Sequence, residues 1–380
     1  MMPPPLTLAM LGGGQLGRFF VSAAHELGYR VWVLDPDAES PAGCIANRHL
    51  CAAYDAAAAL DDIATHCAAA TTEFENVPAA TLAYLAERIP VRPSAQAVAV
   101  CQDRIAEKSF LRENGLPHGD FAIIHTEADI EAASARLFPG ILKAARFGYD
   151  GKGQTIVESR EAALAVFRAG APCVLEQKLA LDAEISVVLA RGETGRTRAF
   201  PVAENQHLRG ILDVSIVPAR IEPRLASDAR EIAECIAARL DYVGVLAVEF
   251  FVSQGRVLVN EMAPRPHNSG HYTLDACIAS QYEQQVRTLC GLPLAEPDAH
   301  SASVMVNLLG GLWFRDGAAN ASEPDWAKLH AVPGLKLHLY GKRAARPGRK
   351  MGHFTVVGEN PDAVLEAALT ARRDIGIKDD

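Results

Sequence analysis

The chain is most constrained at its start. A short apolar run, Thr7–Leu11, ends in glycines, and Leu16, Phe19, Phe20, Ala23, Ala24 and Leu27 then recur at helical spacing until Gly28 stops the helix. Arg30–Leu34 is a second β-rich run, closed by Asp35 and Pro36. Strand, helix and strand in so short a span require two parallel strands joined by a right-handed crossover. Further strands are expected at 49–53 and 70–74 with a helix over 55–67, and two prolines within 89–94 mark the exit from this unit. The glycines Gly12, Gly14 and Gly17 satisfy G-x-G-x-x-G between strand and helix, with Asp35 ending the next strand, which is the setting of a dinucleotide fingerprint. Such glycines let the backbone approach an anion at the free N–H groups of a helix N-terminus. An NAD-dependent oxidoreductase is therefore one candidate, and a tight turn with no ligand satisfies the same residues.

Beyond residue 96 the pattern changes. A helical stretch over 97–114 precedes a strand at Gly140–Ala144, a glycine-rich loop over 147–154 and a strand at Cys173–Gln177. Strands over 242–252 and 256–262 flank a turn at Gly255, and strand-like pieces at 303–308, 336–340 and 352–357 precede a final helix. With 380 residues, two or three domains are expected. The 37 basic and 46 acidic residues leave a net charge of −9, so binding to nucleic acid through a general basic field is excluded. No apolar run reaches the length of a membrane span and no basic leader precedes one. The eight cysteines include no C-x-x-C pair, which fits reduced thiols and a cytoplasmic location rather than a zinc ribbon.

Four segments carry chemistry. The loop from Lys143 to Gln154 joins Gly148, Gly151 and Gly153 to Lys143, Arg146 and Lys152, a combination suited to closing over polyphosphate, although it is not a P-loop. An exposed hairpin turn with solvated lysines is its plain alternative. The second segment is the strand pair around Gly255. A three-residue loop, Gln254 to Arg256, pairs position 253 with 257 and sets Glu249 opposite Glu261. Like charges so placed repel unless a cation sits between them, and one or two carboxylates plus phosphate oxygens are a magnesium pattern. A solvated pair in another register would carry no such meaning. Third, Arg265, His267, Asn268, Ser269 and His271 crowd donors onto a proline-fixed loop. Last, five cations, Lys342, Arg343, Arg346, Arg349 and Lys350, fall within nine residues around a Pro-Gly turn, as a phosphate clamp or as a solvated charge run.

In order along the chain, LGGGQLGRFF, TTEFENVP, CQDRIAEKSFL, FGYDGKGQ, EQKL…EIS, PVAENQH, VEFF…VNEMAPRPHNSGH and YGKRAARPGRKMGH resemble the N5-carboxyaminoimidazole ribonucleotide synthetase family of ATP-grasp enzymes from residue 10 to 354. That resemblance implies ATP-dependent carboxylation of aminoimidazole ribonucleotide (AIR) by bicarbonate in de novo purine synthesis. By similarity, Arg104 and Lys143 would meet ATP phosphates, and Gly148, Tyr149, Asp150, Gly151, Lys152, Gly153 and Gln154 would close over them. Glu176, Gln177, Lys178 and Leu179 would line the adenine, Glu184 would hold the ribose, and His207, Asn260 and Glu261 would also lie at ATP. Glu249 and Glu261 would carry Mg²⁺, with Mn²⁺ as a substitute. AIR and bicarbonate would meet Gly14, Gln15, Leu16, Glu73, Glu75, Tyr149, Asp150, Lys152, Arg265, His267, Asn268 and Ser269, with Lys342, Arg349 and Lys350 toward the ribonucleotide phosphate. Catalytic roles would fall to Asp150, Lys152, Arg265 and His267. Asp150 would orient the amine or take its proton, and Arg265 and His267 would hold the carboxylate or CO₂.

The expected protein is α/β: a parallel-sheet domain over 1–98, a two-lobed ATP-grasp region over 99–295 and a small C-terminal domain over 296–380. The family implies a homodimer acting on small molecules, with no nucleic-acid or membrane partner. Its rivals are another ATP-grasp ligase, such as a formate-dependent glycinamide ribonucleotide transformylase or a biotin carboxylase, the oxidoreductase, and a non-catalytic nucleotide-binding scaffold.

Overall fold

In the computed structural model the described residues are 1–146, 148, 152–168, 170–314 and 320–378. Four parallel strands form the N-terminal sheet in the order Arg48–Leu50, Arg30–Leu34, Thr7–Leu11, Ala69–Thr72. Alternation along Thr7–Leu11 explains its two covers, since successive side chains leave opposite faces of a strand. Leu8 and Met10 pack on Phe20, Val21 and Ala24 of the helix Gln15–Glu26, together with Tyr282, Val286 and Leu289 of the distant helix Gln281–Cys290. Ala9 and Leu11 face Leu60, Ile63, Leu82 and Leu85 on the other side. The helix Gln281–Cys290 thereby ties the N-terminal unit to the loop that precedes it, and its buried glutamines serve that junction. Gln281 brackets the backbone of His267, and Gln285 donates to Thr71 Oγ1 at 3.1 Å.

The expected strands at 49–53 and 70–74 are shorter and shifted, at Arg48–Leu50 and Ala69–Thr72. The helical stretch over 97–114 is two helices, Ala95–Cys101 and Arg104–Glu113. Asp103 breaks it by capping the second helix, accepting from the N–H groups of Ile105 at 2.9 Å and Ala106 at 3.3 Å.

Two antiparallel sheets complete the fold. The smaller has four strands, in the order Phe121–Ile124, Cys173–Gln177, Gly140–Ala144, Gln154–Val157. The larger has nine and continues without a break from Arg256–Ala263 and Gly244–Ser253 through Ala183–Arg191, Ala203–Leu208 and Ile211–Val217 into Ala302–Leu309, Lys350–Gly358 and Leu335–Leu339, with Thr197–Ala199 paired beside Ala183–Arg191. One face of the larger sheet presents Ile185, Val187, Val248 and Phe250 to Ala229, Ala233 and Ile236 of the helix Pro223–Arg239. Period-2 alternation therefore sends Glu184, Ser186 and Glu249 to the other face, which is the face that builds the site.

The hairpin reaches its expected pairing by an unexpected route. Its turn has two residues, not three: Gln254 and Gly255 both have positive φ, +52° and +67°, and Ser253 pairs with Arg256. Positive φ at both central positions is what a twisted two-residue hairpin demands. The register is then one residue off until an irregularity between Glu249 and Phe250, where Asn260 is inserted as a bulge and Glu249 pairs with Glu261 after all.

Candidate active site

A cavity of about 520 Å³ lies between the small sheet, the polar face of the large sheet and the N-terminal loop. From the small-sheet side come Ile141, Lys143 and Gln154. Glu184, His207, Glu249, Phe251, Asn260 and Glu261 come from the large sheet, and Gln15, Leu16, Glu73, Phe74 and Glu75 from the N-terminal unit. Arg104, Leu181, Arg265, His267, Asn268 and Lys350 complete the main lining. Residues expected at ATP and residues expected at AIR thus share one space.

At its cationic end, the buried Lys143 Nζ lies 3.0 Å from Glu176 Oε2 and 3.5 Å from Asn260 Oδ1. Lys108, to which the motifs give no role, is also buried, with its Nζ 3.3 Å from the same Glu176 oxygen and 3.0 Å from the Asn260 carbonyl. The bulge that inserts Asn260 is what turns its carbonyl and amide toward two lysines. Burial alone would push the Glu176 carboxyl up, but Lys108, Lys143 and Arg104 hold it below its usual range. Arg104 Nη2 is 3.4 Å from Glu261 Oε2, while its Nε and Nη1 and Glu176 Oε1 are buried with no partner among the described residues. Arg104 itself lines the cavity, and a guanidinium with buried donors to satisfy matches an anionic ligand.

The two facing carboxylates crowd each other. Burial, and then Glu261, push the Glu249 carboxyl above its usual range, against the pull of His207. His207 Nδ1 sits 3.0 Å from Glu184 Oε2, and these carboxylates offset its burial and raise its pKa. Glu107, also without a role in the motifs, is buried behind Glu261, and burial and that charge push it up to about 8. An acidic set that resists full ionisation is one that a divalent cation would relieve.

Toward the N-terminal loop, Arg265 Nε donates to Glu75 Oε2 at 2.6 Å, and Glu75 overrides burial to hold the guanidinium above its ordinary value. His267 Nε2 is 3.4 Å from Glu249 Oε1, and its pKa lies well below the ordinary imidazole value because of burial and the neighbouring Arg265 and Lys350. Lys342 Nζ donates to Gln15 Oε1 at 2.7 Å and to the Lys350 carbonyl at 2.8 Å, linking the basic tail to the first glycine loop.

That loop does not hold a dinucleotide. Glu73 occupies the helix N-terminus, accepting from the N–H groups of Gly14 and, at 3.1 Å, Leu16. An added Cβ would fall 2.2 Å from Glu73 Oε1 at Gly14 and 2.6 Å from the Gly12 carbonyl at Gly17. The glycines admit the protein's own carboxylate where a pyrophosphate would need to sit. Asp35, which ends the second strand of that fingerprint, is buried and already accepts from Gly13 N–H and the Tyr54 hydroxyl, both at 2.7 Å.

Some expected site residues stand apart from the lining. Tyr149, Asp150 and Gly151 lie outside the described residues. Gly148 borders a small neighbouring cavity with Glu107 and Glu261. Gln177, Lys178, Leu179, Lys152, Gly153 and Gly14 do not line the main cavity, and Leu181 does. The Arg349 guanidinium donates to the Ala344 carbonyl at 2.8 Å. Ser269 is fully buried, with its hydroxyl bonded to Ser186 and His267, so its side chain stands behind the imidazole. Among the described residues one further trio of potential metal ligands comes together, Asp275, His338 and His353. The rings of His338 and His353 are stacked with centroids 4.6 Å apart and planes 20° apart, so their in-plane lone pairs cannot converge on one ion.

Comparison with known proteins matches three family descriptions along the chain: a ribonucleotide synthetase preATP-grasp domain over 6–102, an ATP-grasp domain over 109–282 and a phosphoribosylaminoimidazole carboxylase C-terminal domain over 303–367. The N5-carboxyaminoimidazole ribonucleotide synthase of Brucella melitensis biotype 1 is 44% identical over 363 residues, covering 93% of this chain and 97% of that protein. Among solved structures, the corresponding synthetase of Thermus thermophilus superposes with a TM-score of 0.89 at 37% identity, over 98% of this chain and 99% of its own. The Aspergillus clavatus enzyme, solved with ADP and 5-aminoimidazole ribonucleotide, gives 0.86 at 29% identity, over 98% and 97%.

Proposed function

The chain belongs to the N5-carboxyaminoimidazole ribonucleotide synthase family, and from that premise we propose how its cavity carries out the ATP-dependent carboxylation of AIR. The observation that carries the reading is one cavity, which joins Arg104, Lys143 and the Glu249–Glu261 pair to Arg265, His267 and Lys350. Two anionic substrates and bicarbonate need such a shared space, because the intermediate must pass from one to the other without meeting water.

In the reaction, a bicarbonate oxygen attacks the γ-phosphorus of ATP, the bond to the β-phosphate oxygen breaks and ADP leaves. Carboxyphosphate then loses phosphate as the exocyclic amine of AIR forms a bond to its carbon, directly or after release of that carbon as CO₂, and the amine gives up a proton to leave the carbamate. Arg104 and Lys143 would bind and orient the phosphates, their charge opposing the charge spread over the transferred group. Glu249 and Glu261 fit a magnesium ion, which when bound with phosphate oxygens would neutralise that charge. Arg265, held cationic by Glu75, would anchor the bicarbonate-derived oxygens beside His267. Lys342 and Lys350 would attract the ribonucleotide phosphate, with Arg349 outside them. Asp150 and Lys152 would complete the closing loop, an assignment supported by the motif alone.

Three parts divided at about residues 98 and 295 are proposed for the chain, in a cytoplasmic homodimer, on family grounds. The eight free cysteines fit a reducing compartment, and among the described residues no helix is long and apolar enough to cross a membrane. The test is ADP release from MgATP and bicarbonate with and without AIR. Release that depends on AIR, with an acid-labile carbamate product, is expected. Release indifferent to AIR would overturn the choice of acceptor and reopen that of another ATP-grasp ligase.

A further inference from the structure

Behind His267 runs a chain of buried hydroxyl and amide groups that no part of the mechanism above employs. Ser215 Oγ contacts Asn205 Oδ1 at 2.8 Å, Asn205 Nδ2 contacts Ser186 Oγ at 2.9 Å, Ser186 Oγ contacts Ser269 Oγ at 2.8 Å, and Ser269 Oγ contacts His267 Nδ1 at 2.9 Å. Hydroxyls accept as readily as they donate, and an amide can be turned over, so these contacts alone permit the chain to run either way. One further bond shows which way it runs. The backbone N–H of Ser269, which can only donate, points at His267 Nδ1 at 3.3 Å. Nδ1 is therefore an acceptor and carries no proton. It follows that Ser269 donates its hydroxyl proton to Nδ1, Ser186 donates to Ser269, Asn205 donates through its amide to Ser186, and Ser215 donates to the Asn205 carbonyl oxygen.

The backbone of His267 is fixed as well. Gln281 accepts from the His267 N–H and donates to the His267 carbonyl, both at 2.8 Å. Neither the ring nor its loop is left to choose a tautomer on binding substrate.

We propose that Ser215, Asn205, Ser186 and Ser269 are positioning residues that hold His267 as the neutral Nε2–H tautomer, making it a fixed hydrogen-bond donor into the cavity rather than a proton acceptor at Nε2. The Nε2–H faces the side of the cavity where Glu249 Oε1 lies 3.4 Å away. A preset donor needs no reorganisation when negative charge gathers on a substrate oxygen. The inference rests on the proposed carboxylation only for the identity of that oxygen, a bicarbonate-derived one.

Long-range proton–nitrogen spectra of the full chain with ¹⁵N-labelled histidine test it, with His267 assigned by its loss in His267→Asn. The wild-type ring should show the proton on Nε2 and a bare Nδ1. Ser269→Ala leaves only the longer 3.3 Å backbone N–H contact on Nδ1, and Asn205→Leu leaves the hydroxyls without a fixed direction, so each should yield a mixture of tautomers and a kcat lower by about tenfold, the effect of one mispaired buried hydrogen bond. KM for ATP should stay within about twofold of wild type, and Ser269→Thr, which keeps the hydroxyl, should recover the single tautomer and most of kcat. A proton on Nδ1 in the wild type would overturn the proposal, and so would an unchanged tautomer in Ser269→Ala. Should Asn205→Leu fail to fold, the wild-type and Ser269→Ala spectra still decide. Loss of AIR-dependent turnover in the wild type would count against the carboxylation and leave the ring spectrum standing.

Discussion

Replacing Glu261 by glutamine should cut turnover steeply while leaving stability within about 1 kcal/mol of wild type, a combination that an ordinary damaging mutation does not produce. In the protein without metal, the Glu261 carboxylate faces Glu249 across the hairpin and raises the pKa of both Glu249 and the buried Glu107. Removing its charge relieves the like-charge contact with Glu249, worth about 0.2–1 kcal/mol, while Glu107, raised to about 8, holds a proton and adds no charge of its own. Against this, Arg104 loses a partner at 3.4 Å whose side chain is 41% exposed, a pairing worth about 0–1 kcal/mol. The balance lies between a loss of about 0.8 and a gain of about 1 kcal/mol, to be read from urea melts in the presence of a chelator. Turnover should respond quite differently. A glutamine supplies no charge to a cation, and removing one preorganised electrostatic group from a phosphoryl-transfer site lowers kcat by about 10²–10³-fold. AIR binding, which draws on Arg265, Lys342 and Lys350, should be largely retained. Near-normal ADP release would refute the metal assignment. A loss of more than about 2 kcal/mol in the melts would show that the Arg104 contact, not the repulsion, dominates at this position.

Lys108→Met should destabilise the protein by about 1–3 kcal/mol, measured by urea unfolding, because it strips one partner from Glu176 and from the Asn260 carbonyl while Lys143 remains. Gly17→Ala drives a Cβ to 2.6 Å from the Gly12 carbonyl, so the melt should show a loss of about 1–3 kcal/mol from overpacking; an unchanged midpoint would show that the loop has room to move. Glu107, raised from the ordinary carboxylate range to about 8, keeps in the folded state a proton that the unfolded chain has already released. Metal-free stability should therefore fall as pH rises from about 4.5 to about 8, and Glu107→Gln should flatten that slope in melts at about pH 5 and pH 8. A nicotinamide fluorescence titration should show no saturable binding, since Glu73 fills the anion seat and Asp35 is fully bonded.

Much of this fold is legible as local pattern. The run of strand, helix and strand at Thr7–Leu34, the strands at Gly140–Ala144 and Cys173–Gln177, and the long strands around Gly255 each declare themselves through a period or a breaker within a dozen residues. The break at Asp103 is equally local in cause, yet periodicity runs straight across it, because the apolar spacing on both sides continues in phase while a capping carboxylate interrupts the helix. Lys108, Glu107, Asn205, Ser186 and Gln281 mark the other boundary. Lys108, Glu107, Asn205 and Ser186 lie inside stretches that carried the family likeness. Polar residues in a helix or strand look solvent-facing, however, until the elements that bury them are in place.

Residue types and their order were enough to identify an α/β chain with cationic glycine loops, two strand carboxylates in opposition and a donor-rich loop, because backbone propensity and side-chain chemistry act within a few residues. Tertiary structure alone decided which charges meet. A one-residue bulge at Asn260 restores the Glu249–Glu261 pairing that a tighter turn had displaced, and turns a carbonyl toward Lys108. The first glycine loop became a seat for Glu73, about sixty residues away, through close packing that no motif encodes. Three adjacent strands set Ser186, Asn205 and Ser215 in line behind His267. Such contacts depend on register and long-range approach, where a shift of one residue reverses every face.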